Sequence, residues 1–87
     1  VLENKISVFP NPFNPTTVFS VSVAEPSTVK LHVFNLIGQQ IAEVVNADLN
    51  AGVHDYRLNA GSWSSGTYFY RLQIGDKMQT GKIQLVK

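Results

Sequence analysis

The sequence predicts an all-β domain built as two packed antiparallel sheets, and three observations carry that prediction. Apolar and polar residues alternate with period two through Thr17–Val23, Val29–Phe34 and Tyr68–Ile74, as half-buried strands require. Turn chemistry interrupts the chain at roughly 8–12-residue spacing. Val, Ile and Thr supply 21 of the 87 residues and Phe, Tyr and Trp another nine, a β-favouring composition. No helical period persists over a useful length, and there is no internal repeat. About seven strands in this rhythm read as an immunoglobulin-like sandwich.

Each element follows from local chemistry. Ile6–Phe9 is a short apolar run stopped by Pro10. In Pro10-Asn11-Pro12-Phe13-Asn14-Pro15 the prolines fix φ, remove backbone donors and push their predecessors into extended geometry. That stretch is expected as a stiff connection, with Phe13 free to act as a plug. Thr17–Val23 turns Phe19, Val21 and Val23 to one face and Val18, Ser20 and Ser22 to the other. After a turn at Ala24–Ser27, Val29, Leu31 and Val33 line the inner face, and Lys30, His32 and Phe34 point outward. Asn35-Leu36-Ile37-Gly38 has turn chemistry, with Gly38 expected at positive φ.

Ile41–Val45 resumes as a strand of weaker alternation, and Leu49–Gly52 turns the chain again. His54, Tyr56 and Leu58 share a face. Asn59–Gly66 is a Ser/Gly-rich loop around Trp63. Tyr68, Tyr70, Leu72 and Ile74 are expected inward, with Phe69, Arg71 and Gln73 outward. Gly75-Asp76 makes a hairpin turn, and Lys77–Val86 returns. The apolar parity changes between Met78 and Ile83, so a β-bulge is expected at Gly81.

The length allows one domain, 1–87, and the start at Val1 rather than Met suggests a fragment or processed piece of something longer. A net charge of +1 argues against a nucleic-acid partner, and no apolar run is long enough for membrane insertion. With no Cys there is no disulfide framework and no thiolate metal site. No cofactor site is expected.

Candidate chemistry is sparse. His32 and His54 have no carboxylate at ligand spacing, and the adjacent Asp55 points to the opposite face from His54. An exposed His32 and a partly buried His54 are expected. Ser62, Ser64 and Ser65 lack a nucleophile elbow, and Gly52, Gly61 and Gly66 are too isolated to cradle a phosphate. Catalysis is therefore not expected. Trp63, Tyr56, Tyr68 and Tyr70 raise carbohydrate stacking as an alternative, but Tyr68 and Tyr70 share the face of Leu72 and Ile74, which favours the core. Tyr68 is also placed for a tyrosine-corner hydrogen bond. Phe34, Phe69 and Val18 face outward as a candidate docking patch. Lys82 and Lys87 bracket the last strand, where they guard against edge pairing.

Four stretches resemble one family. Pro10-Asn11-Pro12-Phe13-Asn14-Pro15-Thr16-Thr17 is similar to the opening of the C-terminal sorting domains of bacterial type IX secretion. Val33-Phe34-Asn35-Leu36-Ile37-Gly38-Gln39 resembles their central hairpin, Ser65-Gly66-Thr67-Tyr68-Phe69-Tyr70-Arg71-Leu72 their Gly-x-Tyr strand, and Lys82-Ile83-Gln84-Leu85-Val86-Lys87 their terminal basic strand. An immunoglobulin-like domain of flagellar hook-capping proteins is similar in type, and that likeness implies a structural accessory module as a further alternative. The resemblance implies a non-catalytic, immunoglobulin-like signal at the C-terminus of a secreted enzyme or adhesin. Its implied partners are the outer-membrane secretion machinery and the parent domain, and its cargo is released or held at the cell surface. The implied motif residues are Pro10, Asn11, Pro12, Phe13, Asn14, Pro15, Asn35, Gly38, Gly66, Tyr68, Arg71, Lys82 and Lys87. One departure stands out: the family pattern places Trp where this chain has Leu58 and Leu where it has Trp63. The exchange suggests two side chains filling one space. Asn59 also stands where Asp is usual, which is expected to weaken a turn.

Overall fold

Seven strands form in chain order in the computed structural model, which describes residues 3–86: β1 (Lys5–Phe9), β2 (Thr16–Val23), β3 (Ser27–Phe34), β4 (Gln40–Leu49), β5 (Gly52–Asn59), β6 (Gly66–Ile74) and β7 (Lys77–Leu85). They pair antiparallel in two sheets, ordered β1-β2-β5 and β4-β3-β6-β7. The all-β, immunoglobulin-like sandwich read from the sequence is the observed architecture.

Alternation decides which side chains meet between the sheets. Phe19, Val21 and Val23 of β2 and Val29, Leu31 and Val33 of β3 are fully buried, together with Leu72, Ile74, Ile83 and Leu85. Each such side chain contributes about 1.5–3 kcal/mol by leaving water. The assignment of strands to sheets follows from the turns. In a constant-type immunoglobulin sandwich the fourth strand stays with the first, second and fifth. Here Asn35 makes the β3–β4 turn tight: its N–H donates to Gln39 O at 3.0 Å, and its Oδ1 accepts from Ile37 N and Gln39 N at 3.1 and 2.9 Å. Gly38 lies at φ +86° as expected. That hairpin holds β4 beside β3, and the following turn, with Gly52 at φ +141°, carries the chain to the other sheet. β4 is longer than expected, and its weak alternation reflects register shifts opposite Leu31/His32 and Val33/Phe34.

The bulge expected at Gly81 is not there. The β6–β7 register runs unbroken from Gly66↔Leu85 to Ile74↔Lys77, with Tyr70 opposite Gly81. The inward parity of β7 is Gln79, Gly81, Ile83 and Leu85, and Met78 simply faces solvent. A Cβ on Gly81 would run into Oη, Cζ and Cε2 of Tyr70, so the glycine makes room for that ring.

Burial of this ring also sets a pH limit. Desolvation raises the pKa of Tyr70, and that of Tyr56 more weakly placed on β5, above the ordinary phenolic value of 10.0. The folded chain therefore holds these protons to higher pH than the unfolded chain, and the stability they contribute is full below the unfolded value and lost as pH climbs through the folded one. Urea midpoints should fall above about pH 10, and Tyr70→Phe should make that fall shallower. Equal slopes in the two proteins would show that Tyr70 titrates as a free phenol.

Candidate recognition surface

Antiparallel order gives the sandwich two poles. The Pro10–Pro15 segment, the β3–β4 turn, the β5–β6 loop and the end of β7 meet at one, here termed the proline pole; the β2–β3, β4–β5 and β6–β7 turns lie at the far pole. The singled-out stretches are thus gathered at one end of the molecule by topology alone.

The proline segment is fastened along the outer edge of β7. Pro10, Pro12 and Pro15 carry no N–H, so this stretch has few backbone donors to offer an open strand edge. Asn11 makes up the deficit with its side chain: Nδ2 donates to Lys82 O at 3.1 Å and Oδ1 accepts from Gln84 N at 3.0 Å. Phe13 continues the ladder, its N–H donating to Gln84 O and its carbonyl accepting from Val86 N, both at 2.9 Å. The Phe13 ring is the expected plug, 2% exposed in the core. Thr17 Oγ1 donates to Pro10 O at 2.7 Å, and Ala60 N to Pro15 O at 2.9 Å, which fixes both ends. Asn14 is exposed.

Gly66 and Tyr68 begin β6 against the same stretch of β7, opposite Leu85 and Ile83. Gly66 adopts φ +151° with open space around its missing Cβ, so backbone geometry rather than crowding calls for glycine. Tyr68 is buried and its hydroxyl donates to Ser64 O at 2.5 Å, the tyrosine-corner bond at the β5–β6 corner. Trp63 is half-buried against it, ring centroids 5.0 Å apart and tilted by 40°. A cleft between Asn35–Ile37 and Ser65–Tyr68 opens at this pole, with Leu36 and Ile37 68% and 78% exposed on its rim.

Farther along the four-stranded sheet, Phe34 and Phe69 are opposite each other on the outer face, and the Arg71 guanidinium lies 4.9 Å from the centre of the Phe34 ring. Val18 sits on the other sheet, so the three apolar residues do not form one patch. Lys82 is exposed beside Phe69. Lys87 lies outside the described residues.

One contact was invisible in sequence spacing. His32 is not the exposed residue expected: its side chain is only 14% exposed, with Nε2 3.2 Å from Glu43 Oε2 across the β3–β4 pair. Hairpin register, not a fixed spacing, brings that carboxylate over. His54, half-buried as expected, has Nε2 2.8 Å from Asn50 O. Nor does Asn59 leave its turn without a bond, because its Oδ1 accepts from Gly61 N at 2.9 Å, as an Asp oxygen would. Among the described residues no group of three or more His, Asp or Glu side chains is placed to hold a metal ion.

The sequence profile described as "secretion system C-terminal sorting domain" matches residues 7–86, from within β1 to the residue after β7. The chain belongs to this family. A search of curated proteins returned no match. Membership makes the chain a sorting signal for type IX secretion that engages that machinery, in a family that is non-catalytic.

Leu58 and Trp63 of this sorting domain both pack, half-buried, on the core at the proline pole. If their volumes trade against each other, Leu58→Trp alone overpacks the site and lowers stability by about 1–3 kcal/mol, and adding Trp63→Leu recovers most of it. Thermal melts of the two variants check this; a neutral Leu58→Trp means that the positions do not share a space.

Proposed function

We propose that the proline pole is the face this domain presents to the outer-membrane translocon, and that it carries its parent protein from the periplasm through that membrane to release or cell-surface attachment. The observation that supports this most is convergence: Asn11–Phe13, Gly66–Tyr68 and Lys82–Val86 are far apart in sequence and hydrogen-bonded or paired at one end of the sandwich. A C-terminal domain joins the rest of its protein through the chain leading into β1, and β1 starts at the far pole, with Lys5 opposite Ser22. A parent catalytic or adhesive domain attached there leaves the proline pole unobstructed. The exposed Phe9, Leu36 and Ile37 at this pole are apolar surface for a protein partner.

Within this reading the motif residues divide. Asn11, Phe13, Asn35, Gly38, Gly66 and Tyr68 shape the pole through the contacts described, and Lys82, with Lys87, supplies charge for direct contact. Carbohydrate stacking draws less support, because Trp63 and Tyr68 lie against each other and Tyr70 is in T-shaped contact with the buried Phe19.

The test is a fluorescent reporter with a signal peptide and this domain at its C-terminus, expressed in a type IX-competent host. Fluorescence in the medium or on the cell surface that vanishes in a translocon mutant is the expected result; a folded reporter retained in the periplasm overturns the proposal. The Lys82→Gln/Lys87→Gln variant should melt like the parent chain and lose most of its secretion. Unchanged secretion removes the lysines from the contact.

A further inference from the structure

Three of the four sheet edges are blunted. β1 has only five residues and ends at Pro10. β4 is broken by two register shifts. β7 is covered from Lys82 to Val86 by Asn11 and Phe13. Short length, bulges and a covering segment are devices that keep strand edges from pairing with other chains.

β5 has none of them. It runs from Gly52 to Asn59 in unbroken register with β2, contains no proline or lysine, and forms the outer strand of its sheet. Among the described residues no loop or side chain hydrogen-bonds to its backbone on the open side. Every second residue of an antiparallel strand turns its N–H and C=O to that side.

The side chains indicate what would pair there. On the outer face β5 presents Val53, Asp55, Arg57 and Asn59, all exposed. Toward β2, Asp55 faces Ser20 and Arg57 faces Val18, so neither charge has an opposite partner across that pair. A second β5 laid antiparallel about a two-fold axis must keep core faces together, since a one-residue slip would turn the apolar face outward. Centring the axis on Asp55 opposes two carboxylates, and centring it on Arg57 opposes two guanidinium groups. Centring it on Tyr56 sets Asp55 opposite Arg57 of the second copy, twice, with Val53 opposite Asn59. Opposite charges directly across a strand pair stabilise it, and like charges destabilise it.

We propose that β5 is a self-association edge: two copies of this chain join β5 to β5 in the register centred on Tyr56, fusing two three-stranded sheets into one of six. The interface is isologous, so it closes at the dimer and cannot grow into a fibre. It is independent of the sorting reading and does not use the motif residues.

Sedimentation velocity of the 87-residue chain over a concentration series tests it. The expected result is a reversible monomer–dimer equilibrium. Asp55→Arg places arginines opposite each other twice and should weaken dimerisation by about tenfold or more. Asp55→Arg/Arg57→Asp exchanges the charges and should restore it. Both positions are exposed and outside the described ion pair, and circular-dichroism melts of each variant confirm that it folds. A chain that stays monomeric to about millimolar concentration overturns the proposal. So does a dimer that ignores Asp55→Arg, which would place contact at another edge or on a face.

Discussion

Phe13→Ala should cost this domain about 3–5 kcal/mol, the range for removing a large buried ring. The ring is 2% exposed, and its backbone is half of the ladder that binds the proline segment to β7. Native stability of a small domain is about 5–15 kcal/mol, so the variant keeps only a fraction of it. A second effect separates this residue from an ordinary core position. With the plug gone, the hydrogen bonds of Asn11 and Phe13 have only exposed polar contacts to hold them, and the Lys82–Val86 edge opens. Urea denaturation should show the loss of stability, and light scattering should show assemblies larger than a dimer that the parent chain does not form at the same concentration. Asn11→Ala removes two exposed hydrogen bonds and should cost far less, about 1 kcal/mol. If Phe13→Ala loses less than Asn11→Ala, the proline segment is held by its hydrogen bonds and not by its plug.

Gly81→Ala should also destabilise, although propensity predicts the reverse. Glycine inside a strand is worth roughly 0.5–1 kcal/mol less than alanine, so a strand position with room should gain from the change. Here the added Cβ overlaps the ring of Tyr70, and that ring cannot swing aside cheaply because it packs in a T-shaped contact with fully buried Phe19, centroids 5.8 Å apart at 75°. Overpacking of this kind costs about 1–3 kcal/mol. A double-mutant cycle isolates the cause: in a Tyr70→Ala background, itself destabilised, Gly81→Ala should become neutral or favourable. The same penalty in both backgrounds would mean that β7 itself, not the ring, rejects a side chain at this position.

The two residues show where sequence reasoning succeeds and where it stops. Phe13 was legible as a plug because three prolines dictate a stiff extended segment, and a single large apolar residue in such a segment has little to do except bury itself. Gly81 was misread because a glycine with a nearby change of parity has two explanations within one strand. The choice between them lies on β6, in a ring that reaches it only through register. Met78 drew attention to a parity change that never occurred; it is an exposed apolar side chain at 57%. Tyr68 was legible for the opposite reason: its partner, Ser64 O, is four residues away, within reach of a local rule.

What the sequence by itself determined is local and periodic: seven strands, the inner faces of β2, β3 and β6, the positive-φ turn at Gly38, the hairpin at Gly75, and a set of motifs that place the chain among sorting domains. Period-two burial and turn chemistry act over a few residues, so they can be read from a few residues. Only the tertiary structure decided that Glu43 covers His32, that Arg71 lies over Phe34, and that Asn11 closes the edge of Lys82–Gln84. Each of those depends on which strands lie side by side and in what register. Two strands of the same alternation can pair in several registers at nearly equal local cost, and the whole core, packed at once, selects one.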